Sequence, residues 1–321
     1  MGFDTSFHPV DLALVQDRLL PYIAGVGDDD GLDDLLDRAV AVRRTRFEAK
    51  QWAVGAIDAA KGLGVDAFDT RLHVWGRPFF VTGDDPAQVV HDIGRYLAAT
   101  PEEVPALARE MLDRLHPGLA AHATPSTEGV IPEAGALREH MSWRMRILRA
   151  AGAALRSGAP TVRDPDTGRE HPPGVLIDSE VPFSVVEFAA IFHPGWMSRG
   201  YTWPTRVCAT AGVDDVGFGL PTPLYDALAE VFPSRDWAAE PTITGNYSVG
   251  GLVPPHAVAA ARANLRTHRD ELLAPAHADG WGHDLATDLT KVDEAMAYAE
   301  AHGFAFCEAT EIYSGMEGSL N

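Results

Sequence analysis

Phe68-Asp-Thr-Arg-Leu-His-Val-Trp-Gly-Arg-Pro-Phe-Phe-Val-Thr82 carries the best strand signal in the chain. Phe68, Leu72 and Val74 share one face at period two, and Asp69, Arg71, His73 and Trp75 share the other. Gly76 and Pro78 then interrupt the ladder, because Pro has no N–H to give it and Gly weakens it. Phe79-Phe80-Val81 reads as a second short strand, so the stretch predicts a hairpin turning at Gly76-Arg77-Pro78.

The polar face of that hairpin is the densest local mixture of chemistry in the sequence. Alternate positions on a strand lie about 7 Å apart, close enough for one small ligand. Asp69 and His73 would serve acid–base work or ligation, and Arg77 would orient an anionic group, which makes these three the candidate catalytic residues. Arg71 is a further anionic anchor and Trp75 a wall. The same face also fits ordinary solvated surface, with Asp69 and Arg71 offsetting each other. Asp4-Thr-Ser-Phe-His8 and Asp69-Thr-Arg-Leu-His73 share the pattern Asp-Thr-x-x-His. Residues four apart on extended chain share a face. Pairing of the two segments would therefore bring Asp4, His8, Asp69 and His73 together, a set suited to a divalent transition metal.

Around this stretch the chain is mostly helical. His8-Pro-Val-Asp11 predicts a helix start behind a short edge strand at 3–8, and Leu12, Val15, Leu19 and Ile23 give that helix its apolar stripe. A long helix is predicted from about Leu32 to Ala60. Its Arg43, Arg46 and Lys50 fall at i, i+3 and i+7, on one face. That stripe either pairs with the acidic first forty residues or forms an anion site for a phosphate or carboxylate, with Trp52 close by for stacking. Asp84-Asp-Pro86 and Thr100-Pro-Glu-Glu103 read as helix caps. Loops are predicted at 117–133 and 157–174, with a helix between them whose arginines are spread around the cylinder and so suit ion pairing. The apolar run Val181–Phe192 contains Glu187, either a partner to an arginine or a carboxylate with a raised pKa. His193–Pro204 reads as an aromatic loop. Its Trp196, Arg199, Tyr201 and Trp203 are candidate ligand-binding residues, or a plug on one edge of the core. Strands are predicted at 243–249 and 304–308. The fold class expected is α+β, predominantly helical with a small, mainly antiparallel sheet. It would form one unit over 1–321, with 117–133 as the point where it would divide into 1–116 and 134–321.

Composition narrows the function more than any motif does. With 46% hydrophobic and 22% charged residues the chain resembles an ordinary globular protein. A net charge of −20 argues against nucleic acid and against an anionic membrane as partners, and permits a basic protein partner. Lysine occurs only at Lys50, Lys61 and Lys291, so GC-rich coding accounts for part of the acidity. Cys208 and Cys307 make no disulfide framework or thiolate zinc site. No secretory leader pattern opens the chain, and no apolar run is long enough to span a bilayer, so a cytoplasmic location is expected. There is no Gly-x-Ser-x-Gly elbow, phosphate loop, dinucleotide fingerprint or His-Glu-x-x-His. Two functional classes remain. One is a small-molecule or metal-binding enzyme with its pocket at the 68–82 hairpin. The other is an acidic protein that masks a basic partner by charge complementarity.

Overall fold

The computed structural model describes residues 5–64, 76–129, 133–164, 167–198, 202–213, 217–279, 282–310 and 312. The chain begins with strand β1 (Thr5–Val10), and Asp11 then caps the next segment by accepting the Leu14 N–H. That segment is α1 (Leu12–Leu14), a π-helical turn at Val15–Leu19, and α2 (Leu20–Ile23). Pro9 thus belongs to the strand and not to a helix start. Helix α3 (Asp33–Gly62) is about 45 Å long. It is followed by α4 (Pro86–Ala98), capped by Asp85, and α5 (Val104–Leu115). Half of the predicted capping box forms, with Glu103 accepting the Thr100 N–H at 2.8 Å.

Helix α6 (Ala134–Ser157) fills the space between the two predicted loops, and its arginines pair as expected. Arg138 meets Asp33 and Asp37, and Arg149 meets Asp29. A two-stranded hairpin, β2 (Val162–Arg163) with β3 (Glu170–His171), interrupts the second loop. The apolar run is the C-terminal part of α7 (Pro173–Phe192), apolar nearly all round and buried accordingly. Then come β4 (Trp196–Ser198), α8 (Pro204–Ala211), α9 (Thr222–Val231) and β5 (Val249–Val253). The chain closes with α10 (Val258–Thr267), α11 (Arg269–Asp279), α12 (Gly282–His302) and β6 (Ala305–Thr310). α10 and α11 are separated at His268.

The four longer-range strands form one antiparallel sheet in the order β4-β1-β6-β5. The fold class read from periodicity is what the chain adopts. Three features of the sheet differ from expectation. β1 is an interior strand, not an edge; one strand comes from 196–198 within the aromatic loop; and the strand expected at 243–249 forms at Val249–Val253 instead. Between 76 and 82 no strand forms. Arg77–Thr82 instead runs as buried, irregular chain. The sheet lies between two apolar bodies. Phe7, Phe306 and Trp196 face one, with the C-terminal half of α3, α4, α5 and α10–α12. Val10, Cys307 and Leu252 face the other, with α1, α2, the first turns of α3, α6, α7 and α9. β1 precedes the 117–133 loop and its sheet neighbours follow it. No described helix is long and apolar enough to cross a membrane.

Candidate functional site

The basic stripe of α3 turns inward. Arg43, Arg46 and Lys50 are all buried, and no ion pair joins them to the described acids of the first forty residues. Arg46 donates Nε to the Pro78 carbonyl at 2.7 Å, and Lys50 donates Nζ to the Arg77 carbonyl at 2.7 Å. Arg77 in turn donates Nη1 to the Val81 carbonyl at 2.7 Å and Nη2 to that of Gly83 at 2.8 Å. Those carbonyls would otherwise need strand partners. Side-chain cations satisfy them, which is why 77–83 is irregular and still buried. Burial, with Arg46, Arg77 and Lys291 nearby, pushes the Lys50 ammonium well below its usual pKa.

Arg77 is 1% exposed and forms a two-point ion pair with Glu294 of α12, Nε to Oε2 at 2.9 Å and Nη2 to Oε1 at 2.5 Å. Trp196 donates its indole N–H to the same carboxylate at 2.9 Å. Two of the residues singled out in the sequence, Arg77 and Trp196, therefore meet through Glu294, which sequence reading did not single out. Trp203 lies apart, at the start of α8, donating to Thr242 Oγ1 at 2.8 Å. Trp52 packs on the opposite side of α3 from Arg43, under the Arg109 guanidinium.

His8 is buried in β1, and neither ring nitrogen is hydrogen-bonded among the described residues. Burial first, and Arg46 second, lower its pKa to about 3. β1 is hydrogen-bonded on both sides over Thr5–Phe7, by β4 and β6, so a pairing there with 69–73 has no free edge. Asp4, Asp69, Arg71, His73, Trp75, Arg199 and Tyr201 lie outside the described residues. Among the described residues no cluster of three or more His, Cys, Asp or Glu side chains is placed to hold a metal.

Arg43 differs from the other cations of the stripe. It is 7% exposed, and its Nε and Nη1 have no hydrogen-bond partner among the described residues. It lines a cleft of about 70 Å³ between α3, α6 and α7, with Trp143, Arg144, Ser184 and Glu187. Burial lowers the Arg43 pKa to about 10, and Glu187 opposes that shift. Ser184, 1% exposed, lines the same cleft with its hydroxyl unpartnered among the described residues. A helical serine ordinarily donates to a carbonyl of the preceding turn. Ser179 does so, to Val175 at 2.7 Å, and Ser184 does not. Glu187 sits 3.6 Å from Arg144, and burial raises its pKa ahead of the lowering by Arg144 and Arg43. Both readings offered for Glu187, ion partner and perturbed carboxylate, hold together.

A second cavity of about 340 Å³ adjoins the first and shares Trp143 and Arg144 with it. Ile147, Leu148 and Leu176 give it an apolar floor, and Tyr247 stands at its rim. Arg144 reaches both cavities, meeting Glu187 in the first and Glu180, at 3.5 Å, in the second.

One further buried carboxylate has no cation partner among the described residues. Glu308 of β6 accepts the N–H groups of Thr205 and Gly251 at 3.0 and 2.9 Å, and the Thr205 hydroxyl. Burial outweighs these bonds and raises its pKa to about 7. A Cβ at position 250 would fall 2.5 Å from Glu308 Oε1, so Gly250 leaves the space this carboxylate fills. Glu308 ties α8, β5 and β6 together. Cys208 and Cys307 are buried, and burial raises both thiol pKa values, Cys208 to about 12. With this geometry in view, no protein-family model, curated protein or solved structure matches the chain.

Proposed function

We propose that this chain binds a small anionic molecule, and that Arg43 with Ser184 receives the anion in the cleft between α3, α6 and α7. The observation that carries the reading is the pair of buried, unpartnered donor side chains lining one cavity. Buried polar groups are hydrogen-bonded in the great majority of folded proteins, because leaving them bare costs about 1–3 kcal/mol each. Here both groups offer donors, and an acceptor-rich ligand satisfies them. The cavity has room for about five waters by the usual measure, which suits a carboxylate-sized head.

This reading keeps the small-molecule class and moves its site away from the 68–82 stretch. The described part of that stretch is closed, with Phe79, Phe80 and Val81 fully buried and Arg77 engaged by Glu294. Acetate titrated against the ligand-free protein in a thermal-denaturation assay tests it. Ligand that binds only the native state raises the melting temperature. Acetate should raise it in the wild type and not in Arg43→Met. No rise in the wild type, or an equal rise in both proteins, refutes the proposal.

A further inference from the structure

Resting on that reading of Arg43, we infer that the two adjoining cavities take one elongated ligand, an arylalkyl monocarboxylate. Its carboxylate lies at Arg43 and Ser184, and its ring lies in the second cavity.

The geometry along the helices sets the length. On α7 the first cavity uses Ser184, Glu187, Phe188 and Ile191, and the second uses Leu176 and Glu180. Leu176 and Ser184 are about 12 Å apart along the axis. On α6 the order runs the opposite way, from Met141 and Met145 in the first cavity to Ile147 and Leu148 in the second. The two helices therefore line both cavities in antiparallel order, and Arg144 with Trp143 stands at the border the cavities share.

Charge sets the head group. Arg43 and Arg144 face the first cavity, and Arg144 is ion-paired with both Glu187 and Glu180. Arg43 has no ion pair among the described residues, and a monoanion supplies one. Chemistry of the walls sets the body. One side of the second cavity is formed by Trp143, Ile147, Leu148, Leu176 and Tyr247, a surface on which a ring packs, while polar side chains from 164–171 form the other. Tyr247 is 62% exposed, and it is the single non-glycine among the described residues with a positive φ, at 58°. Its ring meets Phe183 edge-on and lies under the Arg144 guanidinium. An exposed aromatic side chain held in a rarely adopted backbone conformation at a cavity rim is placed to cover a bound ring.

Calorimetric titration with butyrate, 4-phenylbutyrate, 4-phenylbutanol and 2-phenylethyl phosphate tests this. Burying the ring should make 4-phenylbutyrate bind about tenfold to a hundredfold more tightly than butyrate. The neutral alcohol should bind weakly, and the phosphate ester no better than the carboxylate. Leu176→Trp, which fills the second cavity, should pull the 4-phenylbutyrate to butyrate ratio towards one. Tyr247→Ala, at an exposed position, gives the same reading in a second variant. Equal affinity for butyrate and 4-phenylbutyrate overturns the inference while leaving the anion site standing. Tighter binding of the phosphate ester overturns the monocarboxylate assignment. If none of the anions binds, the Arg43 reading itself fails.

Discussion

Arg43→Met should make the ligand-free protein more stable. Arginine is the natural loser in this position. Burial depresses its pKa from 12.5 to about 10 in spite of the attraction of Glu187. At 1.36 kcal/mol per pKa unit, holding the charge there costs about 3 kcal/mol. The unpartnered Nε and Nη1 express the same cost as missing hydrogen bonds, about 1–3 kcal/mol each. These are two views of one desolvation and do not add. Methionine keeps the length of the side chain, asks for no partner and buries well among Met141, Met145 and Phe188. Glu187 keeps Arg144 as its ion partner. Replacing a buried, poorly compensated charge by an apolar group is often stabilising by about 1–4 kcal/mol, so a gain of about 2 kcal/mol is expected. In urea denaturation the midpoint should move up at an unchanged slope. The melting temperature should rise by roughly 3–6 °C, scaled from smaller domains. The same variant should lose the stabilisation by acetate. A loss of stability of about 1 kcal/mol or more would refute the reasoning, because it would mean that Arg43 is held by the Glu187 attraction and serves the fold.

The other interior charges should behave oppositely. Glu294→Gln leaves the Arg77 guanidinium buried beside a neutral amide and weakens the bond from Trp196. It should cost about 3–5 kcal/mol in the same urea assay, and a cost under about 1 kcal/mol would show that the carbonyls of Val81 and Gly83 suffice for Arg77. The third prediction concerns acid. His8 has a folded pKa of about 3 against 6.5 unfolded, so below pH 6.5 the unfolded chain takes up a proton that the folded imidazole refuses. Its contribution to stability is present above pH 6.5 and is lost as pH falls towards 3. Between pH 7 and 4 this amounts to about 3 kcal/mol. Glu308, with its raised pKa, and His193, lowered to about 4, add slopes of opposite sign to each other. Comparison of the wild type with His8→Leu across that range isolates the His8 part: the variant should lose about 3 kcal/mol less on acidification, and parallel curves would refute it.

Local chemistry in the sequence determined most of the helices and the first and last strands. Asp11 and Asp85 cap the helices that follow them, the apolar period of 104–115 gives α5, and 304–308 gives β6. The stripe of Arg43, Arg46 and Lys50 on one face of α3 was equally legible, because a period of 3.6 is fixed by the backbone alone. Its fate was not legible. Which cation finds a partner depends on chain that returns from far away. Arg46 and Lys50 meet the carbonyls of Pro78 and Arg77, and Arg77 meets Glu294, 217 residues on. Arg43, three residues before Arg46, meets instead a face of α7 on which Ser184 and Glu187 are the polar groups. The signal for that face was present as Glu187 in an apolar run, and Ser184, one helical turn earlier, went unread because a lone serine is unremarkable until its hydroxyl is seen to lack a partner. Tertiary packing also decided that 77–82 is not a strand. The periodicity there asked for a ladder, but buried cations from α3 reached its carbonyls first, and a carbonyl satisfied by a side chain exerts no demand for a neighbouring strand.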